Sequence, residues 1–115
     1  MELGFIGLGK MGMNMVTRLR RDQHRIVVYD RSTELINQAA AQGCVGAASL
    51  ADLTAQLNAP RAVWCMVPSG KPTEETVQTL GTLLKPGDTI IDGGNTHFHD
   101  DVRRGDELKR KGITY

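Results

Sequence analysis

The sequence predicts a doubly wound parallel α/β sheet with five full strands and the start of a sixth. Three observations carry this: strand-like and helix-like segments alternate strictly, the turns between them are short, and one central strand is a continuous apolar run. Parallel neighbours need crossover helices, and crossovers of one hand lay those helices on both faces of the sheet.

The elements follow in order. Leu3-Gly4-Phe5-Ile6 is the first strand, and it runs straight into Gly7-Leu8-Gly9-Lys10-Met11-Gly12, a G-x-G-x-x-G turn. Met11, Met15, Val16 and Leu19 then share one face of a helix. Arg25 to Asp30 is the second strand, rich in β-branched residues. Leu35, Ile36, Ala39 and Ala40 stripe the second helix, which Gly43 stops from the C′ position. Cys44-Val45 forms a short third strand. Ser49 to Asp52 resembles a capping box with Asp in place of Glu, and Leu50, Leu53 and Leu57 form the inner face of its helix.

Arg61 to Val67 is the continuous apolar strand, broken by Pro68-Ser69-Gly70. Pro72-Thr73-Glu74-Glu75 opens a fourth helix with acids in its first turn, and Val77, Leu80, Leu83 and Leu84 bury it. Lys85 to Asp88 is a turn, Thr89 to Asp92 the fifth strand, and Gly93-Gly94-Asn95 the loop after it. Phe98, Val102, Gly105 and Leu108 mark a fifth helix ahead of Gly112, and Ile113-Thr114-Tyr115 begins the sixth strand.

A length of 115 residues reads as one domain over 1–115, with 40% hydrophobic and 23% charged residues, as in an ordinary soluble globular chain. A formal net charge of +1 gives no electrostatic reason to invoke nucleic acid or an anionic membrane. No apolar run approaches a membrane span, and the N-terminus lacks a signal-peptide core. The expectation is a cytoplasmic protein with no targeting segment ahead of the fold. In a sheet ordered 3-2-1-4-5, two strands separate Cys44 from Cys65, roughly 14 Å and beyond disulfide reach. Both are expected as buried, reduced thiols.

The glycine turn has physical meaning because a strand precedes it, a helix follows it and an acid ends the next strand. In a Rossmann-type domain Gly7 permits the tight turn, Gly9 lets backbone approach a pyrophosphate, and Gly12 lets the helix pack closely on the sheet. The helix N-terminus points its free N–H groups at the phosphates. Ligands in such sheets bind outside the carboxyl ends of the strands, which selects the loops after Ile6, Tyr29, Val67 and Asp92. Asp30 stands where a carboxylate accepts the adenosine ribose hydroxyls, favouring NAD; Arg31 beside it keeps NADP open. The bland alternative makes Asp30 a turn former and Arg31 a solvated charge. Val67-Pro68-Ser69-Gly70 serves as a cofactor wall or as a plain strand-ending turn. Asn95 offers both a donor and an acceptor for a nicotinamide or a substrate hydroxyl. His97 and His99 lie on different helix faces and are read as helix-start polar residues, with no metal site assigned. No nucleophile constellation can be argued.

Together, the runs from Gly4 to Gly12, from Val67 to Gly70 and from Ile90 to Phe98 resemble decarboxylating 6-phosphogluconate dehydrogenase, over the whole chain. The third run is the specific one; the first is shared with the wider 3-hydroxyisobutyrate dehydrogenase-like group. The resemblance implies that Gly7, Leu8, Gly9, Lys10, Met11 and Gly12 bind pyrophosphate, and that Asp30, Arg31 and Ser32 meet the adenosine ribose. It also implies that Val67, Pro68 and Ser69 line the cofactor, with Asn95 touching cofactor and sugar phosphate. Asp30 departs from the asparagine usual in NADP-linked members, and the short form from Val67 to Pro72 looks like the smaller NAD-linked branch. The implied reaction is hydride transfer from the substrate's C3 to nicotinamide, then loss of carbon dioxide. Its lysine base and glutamate acid are expected beyond Tyr115, as is a C-terminal domain that makes a homodimer. The chain is therefore expected to be a fragment that binds cofactor without turnover. The competing readings are a 3-hydroxyisobutyrate-type 3-hydroxyacid dehydrogenase domain, a dinucleotide-sensing module and a purely structural module.

Overall fold

The computed structural model describes residues 2–67, 71–93 and 105–115. Its elements run β1 (Glu2–Ile6), α1 (Lys10–Arg21), β2 (Arg25–Tyr29), α2 (Thr33–Ala41), β3 (Val45–Gly46), α3 (Leu50–Ala55), β4 (Ala62–Cys65), α4 (Lys71–Leu83) and β5 (Thr89–Asp92). The strands pair in parallel in the order β3-β2-β1-β4-β5. The chain moves outward from β1 to one edge and returns to β4 on the other side of β1. That reversal makes the β1–β4 boundary the switch point. Ile6 lies opposite both Tyr29 and Cys65, so the loops after β1, β2 and β4 open on one edge of the sheet.

Strand side chains alternate between faces, and each face has its own core. Leu3 and Phe5 pack with Ile26 and Val28 against Val16 of α1 and Ala39 of α2. Ile6, Val27, Val63 and Ile90 pack on the opposite face with Leu53 of α3 and Val77 and Leu80 of α4. A fully buried Val, Ile, Leu or Phe side chain among them contributes about 1.5–3 kcal/mol relative to exposure. Both cysteines are buried, and no disulfide joins them. Burial pushes the Cys44 thiol above its ordinary range, an effect that the charge of Arg20 only partly offsets.

Helix ends explain where the elements stop. Gly43, at φ +98°, ends α2 as expected: its N–H donates to Ala40 O at 3.0 Å and that of Cys44 to Ala39 O at 3.2 Å. Because Cys44 serves this cap, the strand that follows is Val45–Gly46 and not Cys44–Val45. The same cap ends α1 with Gln23 at φ +62°, and His24 N donates to Leu19 O. Ser49 caps α3 by accepting from Asp52 N at 3.0 Å, while the shorter Asp52 carboxylate reaches Ala48 N and not the Ser49 N–H.

Two further boundaries differ from expectation. The ladder of β4 covers only Ala62–Cys65, with one more bond from Met66 N to Ile6 O, because β1 turns away into the glycine loop. Helix α3 ends at Ala55, yet Leu57 is buried beyond it. Residues 105–110 are helical with Leu108 buried, and the earlier part of the expected fifth helix lies outside the described residues. Thr114 bridges Thr89 in parallel, an isolated pairing at the position expected for the start of a sixth strand.

At the amino ends of β4 and β5, the turn over Lys85–Asp88 carries an anchor. The Asp88 carboxylate is 1% exposed and accepts from Arg61 N at 2.6 Å, Lys85 N at 2.8 Å and Arg61 Nη1 at 3.3 Å. Burial pushes this carboxyl up, but the Lys85 and Arg61 N–H donors and the Arg61 guanidinium together outweigh it, holding it below the usual range.

Candidate functional site

The three turn glycines differ in what demands them. Gly7 adopts φ +98°, and a Cβ there would lie 2.3 Å from Met66 O, so the turn crosses directly over the end of β4. At Gly12 a Cβ would lie 2.1 Å from Gly7 O, so α1 seats against the turn only without a side chain. At Gly9 an added Cβ would meet nothing within 4 Å. The fold needs glycine at the first and third positions; the space at the second stays open.

Gly9 is also the N-cap of α1, and no side chain caps that end. By contrast, Ser32 accepts from Leu35 N to cap α2, as Ser49 does for α3. The first intrahelical bond of α1 is Met13 N to Gly9 O at 2.8 Å, which leaves the N–H groups of Lys10, Met11 and Gly12 without helical partners. The first turn of α1 holds no acid and does hold Lys10. Free donors, the positive dipole end and a lysine therefore converge on one spot suited to an anion.

Asp30 ties this loop to β2. Its Oδ2 accepts from Leu8 N at 2.7 Å and its Oδ1 from Ser32 N at 2.8 Å, while Gly7 N donates to Tyr29 O at 3.1 Å. Each carboxylate oxygen retains acceptor capacity for a further donor. The carboxylate thus both shapes the loop and stays available to hydroxyl groups.

These elements surround a cavity of about 880 Å³ at the carboxyl edge of the sheet. Of the residues expected there, Gly7, Gly9, Lys10, Met11, Gly12, Asp30, Arg31 and Val67 line it. Leu8 is fully buried beneath the loop and offers its N–H to Asp30. The Ser32 side chain serves α2 and is not part of the lining. Pro68, Ser69 and Asn95 lie outside the described residues. Met11, placed on the helix's core face by periodicity, is 68% exposed and lines the cavity, because the first turn of α1 reaches past the sheet.

Sequence reasoning missed Ile6, Tyr29, Leu35, Leu50, Met66 and Thr76 in the lining, while Gly93 belongs to the loop it had selected after Asp92. Five are apolar or aromatic residues that pattern reading assigns to core. Gly93 had a signal in the paired glycines after β5, and its position for a Cβ lies 2.2 Å from Trp64 Nε1. Trp64, the single tryptophan, stacks on Phe5 with ring centroids 6.4 Å apart.

The room at Gly9, the free N–H donors at an uncapped helix end, and the acid after β2 fit the pyrophosphate and ribose of a dinucleotide. The fold and site define a dinucleotide-binding domain of the Rossmann type. Residues 2–115 match the family described as the NAD binding domain of 6-phosphogluconate dehydrogenase, and the chain belongs to that family. It is 40% identical to the NAD(+)-dependent, decarboxylating 6-phosphogluconate dehydrogenase of Bacillus subtilis, over 99% of this chain and 25% of that protein. A Haloferax volcanii protein of the same description is 41% identical over 92% of this chain and 36% of its own length. A solved structure of Plasmodium falciparum 6-phosphogluconate dehydrogenase, described apo, with NADP+ and with 6-phosphogluconate, superposes with a TM-score of 0.88. It is 28% identical and covers 100% of this chain and 26% of its own. The chain thus spans about a quarter of the Bacillus and Plasmodium proteins. Among the described residues, no helix is long and apolar enough to cross a membrane.

Proposed function

We propose that the chain is the cofactor-binding domain of an NAD-linked, decarboxylating 6-phosphogluconate dehydrogenase. The observation that carries the cofactor assignment is Gly9: an unencumbered glycine at an uncapped helix end, facing the cavity. In this reading the N–H groups of Lys10 and Met11 receive the pyrophosphate, and Gly7, Leu8 and Gly12 shape the turn beneath it. Asp30 accepts the adenosine ribose hydroxyls while it holds Leu8 N and Ser32 N. A carboxylate at that point repels the 2′-phosphate of NADP, which favours NAD. Arg31 and the backbone of Ser32 are assigned to the ribose, and Val67 to the cofactor wall. The resemblance of the run from Val67 to Gly70 assigns Pro68 and Ser69 to the cofactor as well.

Asn95 is assigned to both cofactor and sugar phosphate, on the resemblance of the Ile90–Phe98 run. When bound, the nicotinamide supplies the hydride acceptor for oxidation of 6-phosphogluconate at C3, before carbon dioxide is lost. The lysine base, the glutamate acid and the homodimer contacts are assigned outside these 115 residues. The domain alone binds cofactor without turnover, and the cytoplasm is the compartment assigned to the enzyme.

Titrating the chain with NAD and with NADP, followed by Trp64 fluorescence and by calorimetry, tests this. Saturable NAD binding, tighter than NADP, is expected. Tighter NADP binding overturns the cofactor choice, and binding of neither overturns the assignment of the cavity.

A further inference from the structure

Arg31 and Glu75 meet across the mouth of the cavity. One follows β2 and the other lies in α4, 44 positions apart in sequence, and Arg31 Nη2 approaches Glu75 Oε2 at 3.5 Å. Both side chains are largely exposed. Arg31 and Thr76, the residue after Glu75, line the cavity. On its other flank Arg31 adjoins Asp30, whose two oxygens already accept backbone N–H groups. The Arg31 guanidinium is thus paired with the Glu75 carboxylate, and Asp30 precedes it in the chain.

We propose that Glu75 is a cofactor-specificity residue: it engages Arg31 and so withdraws the cation that a 2′-phosphate would use. The inference rests on the assignment of the cavity to a dinucleotide. A planar guanidinium with five donors is the side chain best matched to a phosphate. A ribose bearing only hydroxyl groups needs no such partner, so the ion pair does not oppose NAD. A 2′-phosphate, carrying close to two negative charges, meets Asp30 on one side and an arginine already neutralised on the other. Asp30 alone therefore does not set the preference; the loop after β2 and helix α4 set it jointly.

Dissociation constants for NAD and NADP, measured on the unsubstituted chain, Glu75→Gln, Arg31→Gln and the double variant, test this. Both positions are exposed, so the variants keep the fold, which circular dichroism verifies. Glu75→Gln is expected to shift the ratio of the two constants toward NADP by about 2–5-fold at low salt, the scale of an exposed ion pair. The shift shrinks as ionic strength rises. In the Arg31→Gln background the effect of Glu75→Gln vanishes, because it acts through the guanidinium. An unchanged ratio in Glu75→Gln overturns the inference, and so does a shift that persists without Arg31. If the unsubstituted chain binds neither dinucleotide, the cavity assignment itself fails, a result distinct from both.

Discussion

Alanine placed at Gly9 and at Gly12 separates what the ligand demands from what the fold demands. At Gly12 the new Cβ would lie 2.1 Å from Gly7 O and 3.2 Å from Phe5 Cε1. The nearer atom is backbone, and moving it disturbs Gly7, which is itself pressed against Met66 O. Overpacking of this kind costs about 3 kcal/mol, or roughly 12 °C in Tm for a chain of this size. At Gly9 the Cβ meets nothing within 4 Å and φ is −65°, which alanine adopts freely. There, a gain of about 0.4–1 kcal/mol from a stiffer unfolded chain opposes the poorer N-cap preference of alanine. The net effect on stability stays within about 1 kcal/mol, or roughly 4 °C. The methyl group nevertheless fills the space a pyrophosphate needs, weakening NAD about tenfold or more. Thermal unfolding by circular dichroism and NAD titration by Trp64 fluorescence read the two effects separately. The reasoning is refuted if Gly9→Ala binds NAD like the parent, or loses as much Tm as Gly12→Ala.

Three further outcomes are expected. Asp88→Asn removes the anion that three donors share in a buried site, lowering stability by about 3 kcal/mol in urea unfolding. Because folding lowers the Asp88 pKa, its contribution is complete above the ordinary carboxyl range and fades as pH falls through the folded value. The variant should accordingly lose less stability on acidification than the parent; parallel pH profiles would contradict this. Asp30→Ala leaves the Leu8 and Ser32 N–H groups without their acceptor and should lower stability by about 1–2 kcal/mol while also weakening NAD. An NAD affinity equal to the parent's would show that Asp30 only shapes the loop. Cys44 is buried with its thiol pKa raised, so a thiol reagent at neutral pH should label it only after urea unfolding. Rapid labelling of the native chain would contradict that burial.

Local chemistry made much of this protein legible. Strand–helix alternation, the Gly43 cap and the Ser49 cap are short-range signals, and each appears where the residues indicated. The loop after Ile6 was readable because strand, glycine spacing and a downstream acid constrain one another within 30 residues. Asp88 was not: a Lys-Pro-Gly-Asp turn looks the same whether its acid is solvated or buried against Arg61.

By itself, then, the sequence determined the parallel α/β fold class, the glycine turn after β1 and the acid after β2. Periodicity and turn chemistry depend on near neighbours, so they survive being read in one dimension. The glycine roles read from the motif stand in the contacts at Gly7, Gly9 and Gly12, whereas tertiary structure alone decided that Asp30 ties the loop down through Leu8 N. It alone brought Glu75 to Arg31. Those facts depend on contacts between elements that the sheet order brings together, and separation along the chain carries no signal of them.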